Sequence, residues 1–139
     1  MFSECSSLSA APALPATELA NNCYYAMFNK CASLETAPAL PATRLADGCY
    51  TYMFCECPSL KKAPELPAKT ILPYSYYAMF YGCQNISELT VGLTDWGEEP
   101  DTYAWVYSLA SEGIFTCPEC LEVKYGYSYI PEGWIVKTK

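Results

Sequence analysis

Met27-Phe28-Asn29-Lys30-Cys31 is one of four copies of a Met-Phe-x-x-Cys pattern in this chain: Met1-Phe2-x-x-Cys5, Met27-Phe28-x-x-Cys31, Met53-Phe54-x-x-Cys57 and Met79-Phe80-x-x-Cys83. The copies recur with a strict period of 26 and no slippage. The intervening block repeats as well: Asn22-Cys23-Tyr24 answers Gly48-Cys49-Tyr50, and Ala37 to Thr43 copies Ala11 to Thr17 residue for residue. A fixed period of about 20 to 50 residues is the signature of stacked arrays, in which each unit buries its apolar face against its neighbours.

Within the period, Leu34, Ala37 and Leu40 recur as Leu8, Ala11 and Leu14, as Leu60, Ala63 and Leu66, and as Ile86 and Leu89. The short stretch around Glu35 to Ala37 is the strand candidate, kept brief because Pro38 has no N–H for a ladder. Past the Pro41-Ala42-Thr43 turn, Leu45, Cys49 and Met53 stand at i, i+4 and i+8, which predicts a short helix with one apolar stripe. Asn21, Asn22 and Asp47 fall where N-caps would sit, and Pro73 where a helix's first turn tolerates it. The expectation is an α/β repeat solenoid: a leucine-rich-repeat-like, right-handed coil of short parallel strands and short helices. Repeats of that constant length, starting at 1, 27, 53 and 79, occupy residues 1–93, and residues 94–139 form a C-terminal cap.

The fourth copy degrades after Cys83. Ser87 to Val91 lacks the paired prolines and is richer in β-branched residues, which predicts a longer strand. Tyr103 to Leu109 reads as a short amphipathic helix. Gly113 to Thr116 and Gly133 to Val136 read as two final extended segments. An aromatic-rich terminal segment is what a stacked array needs over its last open face. The first coil has no such cover, so Phe2, Leu8, Leu14 and Leu19 would face water. That implies either further repeats upstream or end-to-end association.

The pattern M-F-x-x-C-x-S-L-x-x-A-P-x-L-P-A followed by L-A-x-x-C-Y resembles the BspA-like leucine-rich repeats of Bacteroides surface proteins. The likeness runs over residues 1 to about 93, with Met27-Phe28, Cys31 and Leu34 in the family's roles and Cys49 where an isoleucine is usual. The repeat here is a few residues longer, and the extra length falls in the Pro-rich turn. The tail, with Trp105, Gly113 and Phe115 and then Ile130-Pro131-x-Gly133-Trp134-x-Val136, resembles the end of such proteins. The resemblance implies a non-enzymatic module for protein or glycan recognition, and adhesion at a cell surface or in the extracellular space. Related repeats in phage and mobile-element proteins imply an alternative, a structural module stacking through its first coil.

Bulk composition narrows the partners. Fifteen acidic against eight basic residues give a net charge of −7. Phosphate backbones need clustered Lys and Arg, so nucleic acid is not an expected partner. No apolar stretch approaches the roughly 18 residues of a membrane span, and without a basic region followed by an apolar run at the start, no signal peptide is expected within these residues.

The nine cysteines fall largely on repeat positions. Cys5, Cys31, Cys57 and Cys83 share one, and Cys23 and Cys49 share another, where the third repeat has Ser75. Stacked positions predict ladders of buried free thiols rather than bridges, since Ser75 keeps the size but not a bond. Cys117-Pro118-Glu119-Cys120 is half of a zinc-type ligand set without its other half, and there is no histidine. It reads as a local disulfide or two ordinary cap thiols. Asp95, Glu98, Glu99 and Asp101 lack the spacing of a calcium loop and read as a solvated acidic turn. No catalytic set, cofactor motif or metal site emerges.

Surfaces remain. Tyr24-Tyr25, Tyr50 with Tyr52, and Tyr76-Tyr77 recur in each coil. One of each pair packs and the other lies half exposed, or the series is an aromatic stripe for a partner. On the strand face the positions that vary between faithful repeats are Ala10, Thr36, Lys62 and Glu88, beside Ser9, Glu35, Lys61 and Ser87. They are the candidate recognition face, with Glu35 and Lys61 its nearest charged neighbours.

Overall fold

The structure, a computed structural model, describes residues 2–98 and 101–139. The first copy's Met1 and the acidic residue Glu99 lie outside the described residues. Successive coils stack in register through the backbone. Phe2 N–H donates to Met27 O (2.9 Å), Phe28 to Met53 (2.9 Å), Phe54 to Met79 (2.9 Å) and Phe80 to Trp105 (3.1 Å). Intervening residues turn back within their own coil: Met27 N–H donates to Tyr24 O, Asn29 to Ala26 and Cys31 to Phe28, each at 3.2 Å. The segment from Asn22 to Cys31 is therefore a ribbon of linked turns, bonded alternately to itself and to the next coil.

This corrects the expected architecture. Among the described residues there is no helix, and the only extended strands are three short parallel ones in a single open sheet. The fold is not an α/β solenoid of strands and helices. Every fourth ribbon residue adopts a left-handed backbone: Asn22, Ala26 and Lys30 have φ of 55°, 50° and 60°, and Gly48, Tyr52 and Glu56 have 63°, 55° and 56°. An α-helix admits none of these. The expected stripe is nonetheless buried, with Cys49 and Met53 at 0% exposure and Leu45 at 9%. A four-residue turn period and a 3.6-residue helical period place i, i+4 and i+8 on the same side, so the apolar spacing could not separate them.

The expected caps change role accordingly. Asn22 sits at a left-handed position, which Asn and Gly occupy most cheaply, and Asn21 Oδ1 accepts the Asp47 N–H of the next coil (3.2 Å). Pro73 opens no helix; its carbonyl accepts the Gly48 N–H (2.9 Å). Tyr103 to Leu109 is also ribbon rather than helix, with Ala104 and Ser108 left-handed (52° and 62°).

On the opposite side of each coil the early repeats pair only through isolated bridges, Ala10 with Thr36 and Leu66 with Val91. Strands β1 (Glu88–Thr90), β2 (Ile114–Cys117) and β3 (Ile135–Thr138) form the parallel sheet, in the order β1-β2-β3. Pro12, Pro38 and Pro64 share the repeat position that Thr90 fills in β1. Where the donor-less ring is gone, a strand forms. Glu88 registers with Ile114 and Ile114 with Ile135, so the coil geometry continues through residues whose sequence no longer repeats. At the far end Val106 N–H donates to Tyr127 O (3.2 Å) and Ala104 N–H to Ser128 Oγ (3.0 Å), closing the ribbon.

Side chains stack in columns through the core. Phe2, Phe28, Phe54 and Phe80 lie ring over ring at 5.6, 5.6 and 5.8 Å. Tyr24, Tyr50, Tyr76 and Trp105 follow at 6.1, 6.1 and 5.7 Å. Such rings supply most of the apolar burial, and dispersion adds to it at each contact. The indoles of Trp96, Trp105 and Trp134 donate to Glu122 O, Tyr129 O and Ala110 O (2.8, 2.9 and 2.8 Å). Those bonds let three large polar-tipped rings be buried in the last coils.

Candidate functional site

The strand-side candidates are brought together as a column. Ala10 bridges Thr36, Glu35 N–H donates to Ser9 O (2.9 Å), and Ser87 N–H donates to Lys61 O (3.4 Å). Ala10, Thr36, Glu35, Lys61, Lys62 and Glu88 are all exposed. Lys62 Nζ lies 3.3 Å from the Glu88 carboxylate of the next coil. So exposed a pair contributes little to stability, but it neutralises the column's two central charges against each other. The column ends in the cap on Ile114 and the exposed Ile135.

The ribbon side carries a larger feature. One tyrosine of each doublet enters the core: Tyr50 and Tyr76 are buried and Tyr24 half-buried. The other joins a surface ladder. Tyr25 meets Tyr52 (5.8 Å), Tyr52 meets Tyr77 (5.5 Å), Tyr77 meets Tyr103 (5.4 Å) and Tyr103 meets Tyr127 (5.8 Å). Tyr127 meets Tyr107 (6.2 Å), which stacks on Tyr81 (5.0 Å). Tyr74 leans on Tyr77 from the side (5.8 Å). Tyr25, Tyr74, Tyr103, Tyr107 and Tyr127 are each 41% to 53% exposed.

Only Tyr25, Tyr52 and Tyr77 were legible as a series. The signal for two others was present, because Tyr103 and Tyr107 stand one full period after Tyr77 and Tyr81. Tyr127 has no such counterpart; the last coil, from Ile114 to Ile135, is shorter than the others and breaks the period that would have placed it.

The cysteines explain the motif's last letter. Cys31 Sγ donates to Phe2 O (2.9 Å), Cys57 to Phe28 O (3.0 Å) and Cys83 to Phe54 O (2.9 Å). Each thiol thus fills a small apolar site and ties its coil to the Met-Phe carbonyl of the coil before. All nine cysteines are free. Burial pushes the Cys49 and Cys55 thiols up to about 11, and Cys83 well above its ordinary value. Thiols so held stay protonated at neutral pH and are poor nucleophiles. In the C-x-x-C, Cys117 is buried and Cys120 exposed.

The acidic turn locks the backbone. The Asp95 carboxylate accepts the Gly97 N–H (2.9 Å), and buried Asp101 accepts N–H bonds from Tyr74 and Glu98 (3.2 Å each). Among the described residues no group of three or more Cys, Asp or Glu is placed to hold a metal ion, and no helix is long and apolar enough to cross a membrane.

Compared with known proteins, the chain matches no family model, no curated protein and no solved structure.

Proposed function

We propose that this chain is a non-enzymatic recognition module that engages a protein or glycan partner across its repeat surface, at a bacterial cell surface. The observation that carries this reading is the tyrosine ladder, seven rings in unbroken contact from Tyr25 to Tyr81. Tyrosine supplies large amphipathic contact area at low entropic cost, because only two side-chain torsions must be fixed. Neighbouring rings and the stacked ribbon hold these torsions before any partner arrives, which lowers the cost of binding. The strand column of Ala10, Thr36, Lys62 and Glu88 is the secondary face, with its central charges already paired.

The repeat pattern's resemblance to BspA-like surface proteins supports the bacterial surface and adhesion. Support for a non-catalytic role comes from a chain with no histidine in which burial holds the Cys49 and Cys55 thiols protonated. The test is binding of the immobilised chain to a panel of extracellular proteins and glycans. A Tyr25→Ser/Tyr52→Ser/Tyr77→Ser variant should lose the captured partner, and a Lys61→Ser/Lys62→Ser/Glu88→Ser variant should keep it. Equal retention by both would overturn the reading.

A second reading, a structural module that stacks through its first coil, is favoured by one observation. Phe2, Cys5, Leu8, Leu14 and Leu19 are only half-buried, whereas their counterparts Phe54, Cys57, Leu60, Leu66 and Ile71 are buried. Light scattering separates the two: a dimer that Phe2→Ser or Leu8→Ser dissociates supports stacking, and a monomer at all concentrations counts against it.

A further inference from the structure

At the cap end of the tyrosine ladder a cavity of about 490 Å³ is lined by Tyr107, Tyr127, Glu132, Leu109 and Pro131, among others. Tyr107 and Tyr127 are 48% and 53% exposed, and their rings stand at 80° to each other. Both rings are held in place. Tyr81 stacks on Tyr107 at 5.0 Å, and Tyr103 meets Tyr127 edge-on at 5.8 Å. Glu132 is exposed and has no ion-pair partner among the described residues. Two crossed aromatic rings and an unpaired carboxylate therefore line one cavity.

That combination selects for a cation. Aromatic faces attract positive charge through the ring quadrupole, while a carboxylate beside them repels anions and pairs more strongly with a cationic N–H donor than with a neutral hydroxyl. Among biological cations, a guanidinium matches best, because its plane lies on an aromatic face while its N–H edge meets a carboxylate in a bidentate pair. The net charge of −7 draws a basic segment toward the surface and speeds encounter. The same chemistry is used at a separate place in the last coil, where Lys124 Nζ lies 4.0 Å over the Tyr129 ring.

We propose that this cavity is a receptor for an arginine side chain of a protein partner, the specific end of the tyrosine ladder. The inference rests on the ladder being the recognition surface, and it names the partner as a basic polypeptide rather than a glycan.

The test titrates the full chain with fluorescein-labelled nona-arginine at near-physiological salt, with nona-citrulline as the uncharged isostere. The wild type should bind the arginine peptide and not the citrulline one. Glu132→Gln and Tyr127→Ser should each weaken binding about threefold to thirtyfold, and Tyr127→Phe should retain it. Glu18→Gln, which makes the same charge change at an exposed position of the first coil, should leave it unaltered. Unchanged circular dichroism and melting confirm that the variants are folded.

Equal weakening by Glu132→Gln and Glu18→Gln would overturn the proposal, because the net charge alone would then account for binding. Equal affinity for the citrulline peptide would overturn it too, as would saturation by a neutral β-glucan oligosaccharide without a response to arginine. Any of these failures leaves the panel experiment on the Tyr25/Tyr52/Tyr77 variant untouched, and failure of the panel leaves the Glu132 result standing, so the two readings fall separately.

Discussion

The first three coils and the last three differ on one side only. On the ribbon side both halves are alike: Phe28 N–H reaches Met53 O at 2.9 Å and Phe80 N–H reaches Trp105 O at 3.1 Å, although Trp105 stands where the repeat has Met. On the strand side the early coils manage only isolated bridges, while the later ones build β1, β2 and β3. Pro12, Pro38 and Pro64 give way there to Thr90. The comparison teaches that the stack is held by its turn ribbon and core columns. The sheet is an addition that the later coils make once proline is absent.

The largest expected effect breaks a column. Phe54 is fully buried between Phe28 and Phe80, so Phe54→Ala should cost about 3–5 kcal/mol of unfolding free energy. Phe2→Ala, at the half-buried end of the same column, should cost well under half as much. Urea denaturation of the two variants measures the ratio; equal losses would mean that the columns do not organise the stack.

Next is Gly113, just before β2. A Cβ there would lie 2.6 Å from Ser87 O and 2.6 Å from the Trp134 indole, and neither the backbone nor the buried ring has room to retreat. Gly113→Ala should destabilise by about 1–3 kcal/mol. It should also release hydrogen-exchange protection in β2 and β3 while leaving the ribbon of residues 48–57 protected. Loss of protection throughout would show that the sheet is not a separable addition.

A smaller and graded effect follows from the ribbon's thiols. Cys49 and Cys55 are pushed from an ordinary 9.0 up to about 11 by burial. In the unfolded chain they ionise first, so between those values the unfolded state holds fewer protons and stability falls as pH rises. Below pH 9 the contribution is fully present. Urea midpoints under reductant should decline from pH 9 to 11, and a flat profile in that window would count against thiols buried in the folded ribbon.

Removing a single thiol donor tests the coil-to-coil tie. Cys57→Ala strands the Phe28 carbonyl's second bond and should cost about 1 kcal/mol. Cys5→Ala, in the first coil and only half-buried, should cost less. The smallest change is Pro64→Thr, which copies the β1 residue into the third coil. The expected result is added exchange protection at residues 63 to 66 with a stability change of about 1 kcal/mol or less; no added protection would show that proline is not what limits the sheet.

Much of this was legible beforehand, for reasons particular to certain residues. The prolines implied brief strands, and the one expected around Glu35 to Ala37 shrinks to a single bridge at Thr36, whereas Ser87 to Val91, Gly113 to Thr116 and Gly133 to Val136 overlap β1, β2 and β3 because β-branched runs free of proline suit a ladder. The buried stripe of Leu45, Cys49 and Met53 was right as a face and wrong as a helix. Three of the ladder's seven rings, Tyr25, Tyr52 and Tyr77, were visible as a recurring series, whereas Tyr127 and Glu132 come from the shortened last coil, which no period announces.

By itself the sequence determined the coil length, the columns that stack and the side on which proline limits pairing, because each follows from local residue type repeated at one interval. The ribbon's conformation was decided only in three dimensions. Left-handed turns at Ala26, Tyr52 and Ala78 cost about 1–2 kcal/mol each for non-glycine residues. They persist because alternate N–H groups find carbonyls in the next coil, partners a whole coil further along the chain that no local propensity can register. The tyrosine ladder and its cap cavity depend on the same stacking.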